Sequence, residues 1–378
     1  MSRKIAGALM TAAALAGVGY LAFARTRVRR FRLREREVPS RFPSIAVLKP
    51  LYGEDEELEK NLRSFCEQDY PSFEVIFGVH DARDPASEVA RRVVAAFPHR
   101  ARLVIGEGTT AGGNPKVANL TRVAHGVLQE IVVLADADMR VSPDYLRTLT
   151  APFDDARVGA VTCLYAGRSA PNIVSHLAAM YVNEQFAPSV LVANAMEPLR
   201  YAFGATIAVR RSVLERIGGF PALAGHVADD HLLGRLVTEL GLDVHLSRYV
   251  VENVMHERDF AGMWSRELRW SRTIRSVRPL GHAFSVVTFG LPIALLAAFV
   301  APGRASSALL ATATILRLLL QTETNAAFGV HSKAASALLV PVRDFLSLSV
   351  WAAAFFDRGV LWRGQQLQLD AEGHIIHH

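Results

Sequence analysis

Residues 131–138 read Ile131-Val132-Val133-Leu134-Ala135-Asp136-Ala137-Asp138. Ile131 to Leu134 is the most hydrophobic of the expected strands and reads as one buried on both faces. It breaks off at two carboxylates one residue apart. Upstream, Ile45-Ala46-Val47-Leu48 ends at Lys49-Pro50, Phe73 to Val79 alternates and stops at His80-Asp81, and Arg102 to Ile105 is a fourth strand. Between them, apolar residues at helical spacing predict helices over Asp55–Cys66 (Leu58, Leu62, Phe65), Pro85–Phe97 (Val89, Val93, Val94) and Lys116–Leu128. Strand and helix alternate as in βαβ units, which predicts an α/β fold with a parallel sheet covered on both faces. In such sheets ligands bind beyond the carboxyl ends of the strands.

That rule selects Asp81, Asp136 and Asp138. Two carboxylates at a strand end can hold Mg²⁺ or Mn²⁺ between protein and a diphosphate, because hard cations favour oxygen ligands and share them with phosphates. The spacing alone is unspecific: Glu35/Glu37, Asp55/Glu57 and Glu57/Glu59 repeat it where solvated surface charge is the natural reading. Position at the end of a buried strand separates Asp136/Asp138 from those pairs. No G-x-G-x-x-G follows the first strand and no G-x-x-x-x-G-K-[ST] occurs, which argues against a dinucleotide oxidoreductase or a P-loop NTPase.

The 378 residues carry 42 Lys and Arg against 36 Asp and Glu, a net charge of +6. Apolar residues make up 51% and mean hydropathy is +0.19, above the ~45–50% apolar content of soluble chains. The excess sits at the ends. Ile5–Phe23 is uncharged and long enough to cross a membrane as a helix. Arg25, Arg27, Arg29, Arg30, Arg32, Arg34 and Arg36 follow at once, which predicts an uncleaved anchor with this cluster on the cytoplasmic side. The cluster's place beside a membrane helix favours anionic lipid over nucleic acid as its partner. Ala283–Ala301, Ala305–Leu320 and Ala335–Phe356 predict three further spans, the first two joined by a turn at Pro302-Gly303-Arg304. Arg343 and Asp344 in the last stretch are expected to be a buried, mutually neutralised pair. One span before the central region and three after it place that region in the cytoplasm. The tail, with His374, His377 and His378, reads as disordered.

Two more patterns stand out. Asp229-Asp230 opens an expected helix over Asp229–Leu240, where acids suit the helix dipole and where adjacent like charges can raise one pKa. Arg266, Arg269 and Trp270 share a helix face at i, i+3 and i+4 within a basic amphipathic stretch, 259–280, suited to a membrane interface. Cys66 and Cys163 read as packed thiols, and Gly218-Gly219 as a helix end.

Leu48-Lys49-Pro50-Leu51, Gln68-Asp69-Tyr70-Pro71, His80-Asp81, Asn114-Pro115-Lys116, Asp136-Ala137-Asp138, Ala228-Asp229-Asp230 and Arg266-Glu267-Leu268-Arg269-Trp270 occur in order. With them the chain, from about residue 43 onward, resembles the ceramide glucosyltransferase family of inverting GT-A-fold enzymes that use nucleotide sugars. Val161-Thr162-Cys163-Leu164-Tyr165, Phe186 to Val192 and Phe203-Gly204-Ala205-Thr206 bring it nearest the bacterial hopanoid-biosynthesis-associated glycosyltransferases. The resemblance implies one N-terminal anchor (1–24), a basic juxtamembrane linker (25–42), a GT-A catalytic domain (43–255), amphipathic interface helices (256–282), transmembrane helices (283–357) and a tail (358–378) in a bacterial inner membrane.

It also implies roles. Asp81 would bind the uracil and ribose end of a UDP-sugar, Lys116 would lie near the nucleotide, and Asp136 with Asp138 would hold the metal. Asp230 would be the general base; Arg266 and Arg269 would meet the charge of leaving UDP, with Trp270 in the acceptor pocket wall. Asp138 departs from the animal ceramide enzymes, which keep an acid only at the position of Asp136. The implied reaction moves N-acetylglucosamine from its UDP donor to bacteriohopanetetrol. Glucosylation of ceramide, a processive polysaccharide synthase and an inactive membrane receptor or scaffold are the alternatives; three C-terminal spans are few for an extrusion channel.

Overall fold

The computed structural model describes residues 3–35, 37–53, 55–107, 114–330, 335–356, 359–362, 365–369 and 375–376. Arg36, His374, His377 and His378 lie outside them. In chain order the elements are α1 (Arg3–Leu33), β1 (Ile45–Leu51), α2 (Leu58–Cys66), β2 (Phe73–Val79), α3 (Ala86–Ala96), β3 (Ala101–Ile105), α4 (Pro115–Val123), β4 (Ile131–Ala135), β5 (Met139–Arg140) and α5 (Tyr145–Thr150). There follow β6 (Val158–Ser169), α6 (Ile173–Tyr181), α7 (Ala187–Met196), β7 (Thr206–Arg210), α8 (Arg211–Arg216), α9 (Asp229–Glu239), β8 (Asp243–Met255), α10 (Phe260–Val277) and α11 (Pro279–Phe284). The chain closes with α12 (Gly290–Val300), α13 (Arg304–Phe328), α14 (Ser336–Ala353), β9 (Gly359–Trp362), β10 (Gln365–Leu369) and β11 (Ile375–Ile376).

The chain divides into a sheet unit, 35–165 with 198–254, and a helical unit, 1–34 with 166–197 and 255–376. The stretch expected as one catalytic domain, 43–255, is therefore interrupted. Residues 166–197 belong with the helical unit because Leu177, Ala178 and Met180 of α6 pack with Met263, Leu291 and Val340 in its core.

The sheet has eight strands in the order β3-β2-β1-β4-β7-β6-β8-β5. The expected parallel sheet is half of it: β3, β2, β1 and β4 run parallel, whereas β7 pairs antiparallel with β4 and with β6. Short-range pattern registers burial, not strand direction, and the antiparallel half lies beyond the four strands read. The chain builds outward from β1 to β2 and β3, then returns to place β4 on the other side of β1. That reversal opens a crevice at the carboxyl ends of β1 and β4. The β1–β4 ladder stops at Leu48↔Leu134, before Pro50, which has no N–H to give. Ile45, Val47, Val75, Phe77, Ile131 and Val133 pack with Leu62, Phe65, Val89 and Val93 into one core containing Cys66 and Cys163, both free thiols. The helix expected over Lys116–Leu128 ends at Val123, since the chain turns through Gly126 at φ 76°. Gly218 and Gly219, at φ 92° and 69°, likewise turn the chain after α8.

Among the described residues of the helical unit three helices are long and apolar enough to cross a membrane, Ile5–Leu33, Arg304–Phe328 and Ser336–Ala353, and a bent pair would add a fourth if it forms a single span. α1 runs through Arg25–Leu33, where a linker was expected; Arg25 and Arg32 face Glu323 of α13 at 3.7 and 3.5 Å. The stretch expected as one helix from Ala283 to Ala301 is bent by 66° between Pro279–Thr288 and Gly290–Val300. At that bend a Cβ on Gly17 would stand 2.7 Å from Gly290 Cα, so two glycines let the backbones meet. The tail expected to be disordered contains an antiparallel sheet in the order β11-β10-β9.

Arg343 and Asp344 are both buried but do not neutralise each other. Arg343 pairs with Glu267 of α10 and Asp344 with Arg317 of α13. Adjacent helical residues point about 100° apart, so neighbours in sequence meet different helices.

Candidate active site

The turn after β4 is held from three sides. The Asp136 N–H donates to Ala205 O at 3.3 Å, and the Asp136 carbonyl accepts from Met139 N at 3.3 Å and from Lys49 Nζ at 2.7 Å. Lys49, on β1, is fully buried with its ammonium 3.6 Å from the centre of the Phe65 ring. Burial pushes it down to about 7, against the pull of Asp138 and Asp136. Asn253 on β8 donates to Asp138 Oδ2 at 2.9 Å; burial and the Asp136 charge raise the Asp138 carboxyl.

Lys116 enters from α4. Asn114 caps that helix by accepting from Lys116 N at 2.9 Å and Val117 N at 3.2 Å, with Pro115 preset for the first turn. The Asn114 amide donates to His226 O at 3.0 Å and Asp229 Oδ1 at 3.4 Å, tying α4 to the start of α9. Lys116 Nζ then lies 2.7 Å from Asp136 Oδ1 and 3.6 Å from Asp229 Oδ2. It is no solvated helix-start lysine. Burial works against its charge, but Asp136 and Asp229 outweigh that and hold it above the usual lysine range.

Asp229 and Asp230 open α9. Burial lifts Asp229 to about 6 against the pull of Lys116, with Asp230 and Asp136 adding to the rise. Burial also raises Asp230. The expected like-charge effect is present but smaller than desolvation. Each Asp230 oxygen accepts one backbone N–H: Oδ2 from Gly204 and Oδ1 from His231, both at 2.8 Å. A Cβ on Gly204 would come within 3.2 Å of Asp230 Oδ2 and 3.6 Å of Asp136 Oδ2. The glycine therefore lies between the two carboxylates and keeps that space open. Beside it Tyr201 stacks on His231 with centroids 5.8 Å apart.

The structure thus gathers Asp136, Asp138, Lys116 and Asp230 at the crevice where the strand order reverses, and adds Lys49, Asn114, Gly204, Asp229 and Asn253. Lys49 and Gly204 were visible only inside motifs; nothing in their own spacing announces an ammonium on a carbonyl or an N–H on a carboxylate. Asp81 lies two residues past the end of β2, the strand beside β1. Arg83 grips it through Nε and Nη2 (2.6 Å) and holds its carboxyl down to about 2.

Arg266, Arg269 and Trp270 belong to the helical unit, on α10. Arg266 pairs with Glu257 and lies 4.9 Å over the Trp270 ring, which stacks on Tyr181 at 6.0 Å. The Arg269 carbonyl accepts from Thr273 Oγ1.

Among the described residues, no three His, Cys, Asp or Glu side chains are grouped to hold a metal. Asp136 and Asp138 nevertheless suit a hard cation that takes its remaining oxygens from a diphosphate and water, since both offer carboxylate oxygen and Asp138 is half-buried beside a like charge.

A profile of glycosyl transferase family 21 matches residues 9–375. The chain is 26% identical over 208 residues to ceramide glucosyltransferase 1 of Caenorhabditis elegans, covering 55% of this chain and 44% of that protein. It is 34% identical over 108 residues to ceramide glucosyltransferase of Komagataella phaffii, covering 28% and 21%. It thus spans half or less of the length of these curated relatives. Among solved structures, a mannosyltransferase from Pyrobaculum calidifontis in complex with GDP-Man and Mn²⁺ superposes with a TM-score of 0.55 at 23% identity, covering 89% of this chain and 99% of that one. That likeness shows the fold, GT-A type with apolar helices added. With the profile running over nearly its whole length, the chain belongs to glycosyl transferase family 21.

Proposed function

We propose that the chain transfers one sugar from a UDP donor to the hydroxyl of a membrane lipid, with inversion, at the cytoplasmic face of a bacterial inner membrane. The observation that carries this reading is the Asp230 carboxylate, pinned through both oxygens and separated from Asp136 by a side-chain-free glycine. A lipid hydroxyl needs its proton withdrawn as it attacks the anomeric carbon. Asp230 is the base: burial raises its affinity for that proton, and its two N–H donors fix the direction from which it accepts. The new bond forms from the hydroxyl oxygen to the anomeric carbon, the bond to the phosphate oxygen breaks, and UDP leaves with the electron pair. A single displacement inverts that centre.

Asp136 and Asp138 would hold Mg²⁺ or Mn²⁺, which supplies positive charge to the diphosphate. Lys116 stays charged beside Asp136 and Asp229 and adds to that charge. Asp81, kept ionised by Arg83, accepts hydrogen bonds at the uracil and ribose end. Arg266 and Arg269 meet the leaving diphosphate and Trp270 walls the acceptor, a reading that rests on the sequence motif. By the same resemblance the donor is UDP-N-acetylglucosamine and the acceptor bacteriohopanetetrol. The names of the curated relatives favour a second reading, UDP-glucose and ceramide.

The test supplies each donor separately with each lipid to purified membranes and analyses the lipid extract by mass spectrometry. An N-acetylhexosamine added to bacteriohopanetetrol supports the first reading. A hexose found only on ceramide overturns it and leaves the site unaffected. No sugar on either lipid, and no UDP release, would remove the enzymatic reading.

A further inference from the structure

Glu267 lies inside the Arg266-Glu267-Leu268-Arg269-Trp270 motif but is completely buried, as is Arg343 of α14. Arg343 Nη1 and Nη2 donate to Glu267 Oε1 and Oε2 at 2.9 and 2.7 Å, a forked pair. Two further donors are occupied: Nη1 also reaches Leu177 O at 3.2 Å, and Nε reaches Ser347 Oγ at 3.1 Å. The guanidinium lies 5.5 Å over the Tyr181 ring. Tyr181 stacks on Trp270 with centroids 6.0 Å apart and planes 22° apart, and Trp270 carries Arg266 at 4.9 Å on its ring. Arg343, Tyr181, Trp270 and Arg266 thus form one column from three helices, rooted in a buried ion pair.

Stability does not account for that root. Two desolvated charges recover little more than a well-packed apolar pair of the same volume would supply. What a fork adds is direction: both oxygens and both nitrogens must align, which fixes the rotation of α10 about its axis and its register along α14. The wide helical turn Val182–Phe186 directly after Tyr181 is a second sign of a helix adjusted to a fixed position.

We propose that Glu267 and Arg343 are positioning residues: their forked pair, acting through Tyr181, sets the orientation of Trp270 and Arg266 for sugar transfer. This rests on the reading in which Arg266 and Trp270 serve that reaction.

The deciding protein is the double variant Glu267→Met with Arg343→Met, which removes both charges and leaves neither unpaired. It is assayed in detergent with UDP-N-acetylglucosamine and bacteriohopanetetrol, and with UDP-glucose and ceramide. We expect a folded protein with an unchanged unfolding midpoint, kcat at least tenfold lower and KM for the donor within threefold. The near-ultraviolet circular dichroism of Trp270, assigned by its loss in Trp270→Phe, should weaken in parallel. If the double variant does not fold, Arg343→Lys decides, since it keeps the charge but cannot fork; the same kcat loss and weakened Trp270 band are expected. Full kcat with an intact Trp270 band in the folded variant would overturn the proposal. Arg266→Ala and Trp270→Ala separate the two failures. Full kcat in both removes the underlying reading, whereas full kcat only in the double variant removes the positioning role alone.

Discussion

In the sheet unit Asp136, Asp138, Asp229 and Asp230 share two ammonium groups, Lys49 and Lys116, whereas in the helical unit Glu267 has Arg343 to itself. Arg317 there holds Asp344 through Nε at 2.9 Å and Glu184 through Nη2 at 2.9 Å, with Gln321 donating to Glu184 at 3.0 Å. The helical unit uses guanidinium forks that take up both carboxylate oxygens. Around the crevice the sheet unit instead uses point charges and single N–H donors, and the acids Asp138, Asp229 and Asp230 are pushed toward protonation by burial. Charges paired through such forks hold helices in position. Acids left short of positive charge suit the proposed roles of receiving a cation or a proton.

Chelation tests that contrast most severely. Removing divalent cations should abolish transfer, and Mg²⁺ or Mn²⁺ should restore it, while the thermal unfolding of the helical unit stays put. Undiminished transfer in excess chelator would break the assignment of Asp136 and Asp138.

Arg317→Met is the reciprocal experiment. It strands Glu184 and Asp344 without a cation and should cost about 3–5 kcal/mol of stability, read as a lower unfolding midpoint in detergent. Adding Glu184→Gln and Asp344→Asn should recover most of the loss, because the penalty lies in the stranded charges.

Asp230→Asn keeps the shape but cannot take the proton. Transfer should fall by roughly 10²-fold or more, about 2.7 kcal/mol in the barrier, with UDP-sugar affinity little changed and Asp229→Asn the milder substitution. The pH profile sharpens this. Asp230 must be ionised to act and burial raises its pKa, so kcat should fall as pH drops through a value above the ordinary carboxylate's ~3.9. That acid limb should be absent in the Asn variant. Near-normal turnover per folded Asp230→Asn molecule would leave Asp229 as the base.

Gly204→Ala should have the smallest effect. Its Cβ would stand 3.2 Å from Asp230 Oδ2, a contact that must give by a few tenths of an ångström. We expect a loss of about tenfold in kcat, about 1.4 kcal/mol, with stability nearly unchanged; an unaltered kcat would show that Asp230 does not need that space kept free of a side chain.

The parallel strands were legible because each carries its burial in its own side chains: β2 begins and ends where the alternation does, and β4 runs one residue past Leu134. Asp136 and Asp138 were legible because they follow such a strand directly. Lys49 and Gly204 were not. Their roles consist of one bond each to residues 87 and 26 positions away, and nothing local distinguishes them from any strand lysine or turn glycine.

By itself the sequence determined the four strands from β1 to β4, the helices between them and the main apolar stretches, and where the acids stand along them, since burial periodicity and charge are local properties. Only the tertiary structure decided partners. Arg343 turned from its neighbour Asp344 to Glu267, 76 residues away, and Lys116 closed on Asp136 and Asp229. Ion pairing depends on which side chains converge in space. On a helix that is set by the 100° step between neighbours, and across a sheet by strand order, and neither can be read from adjacency in the chain.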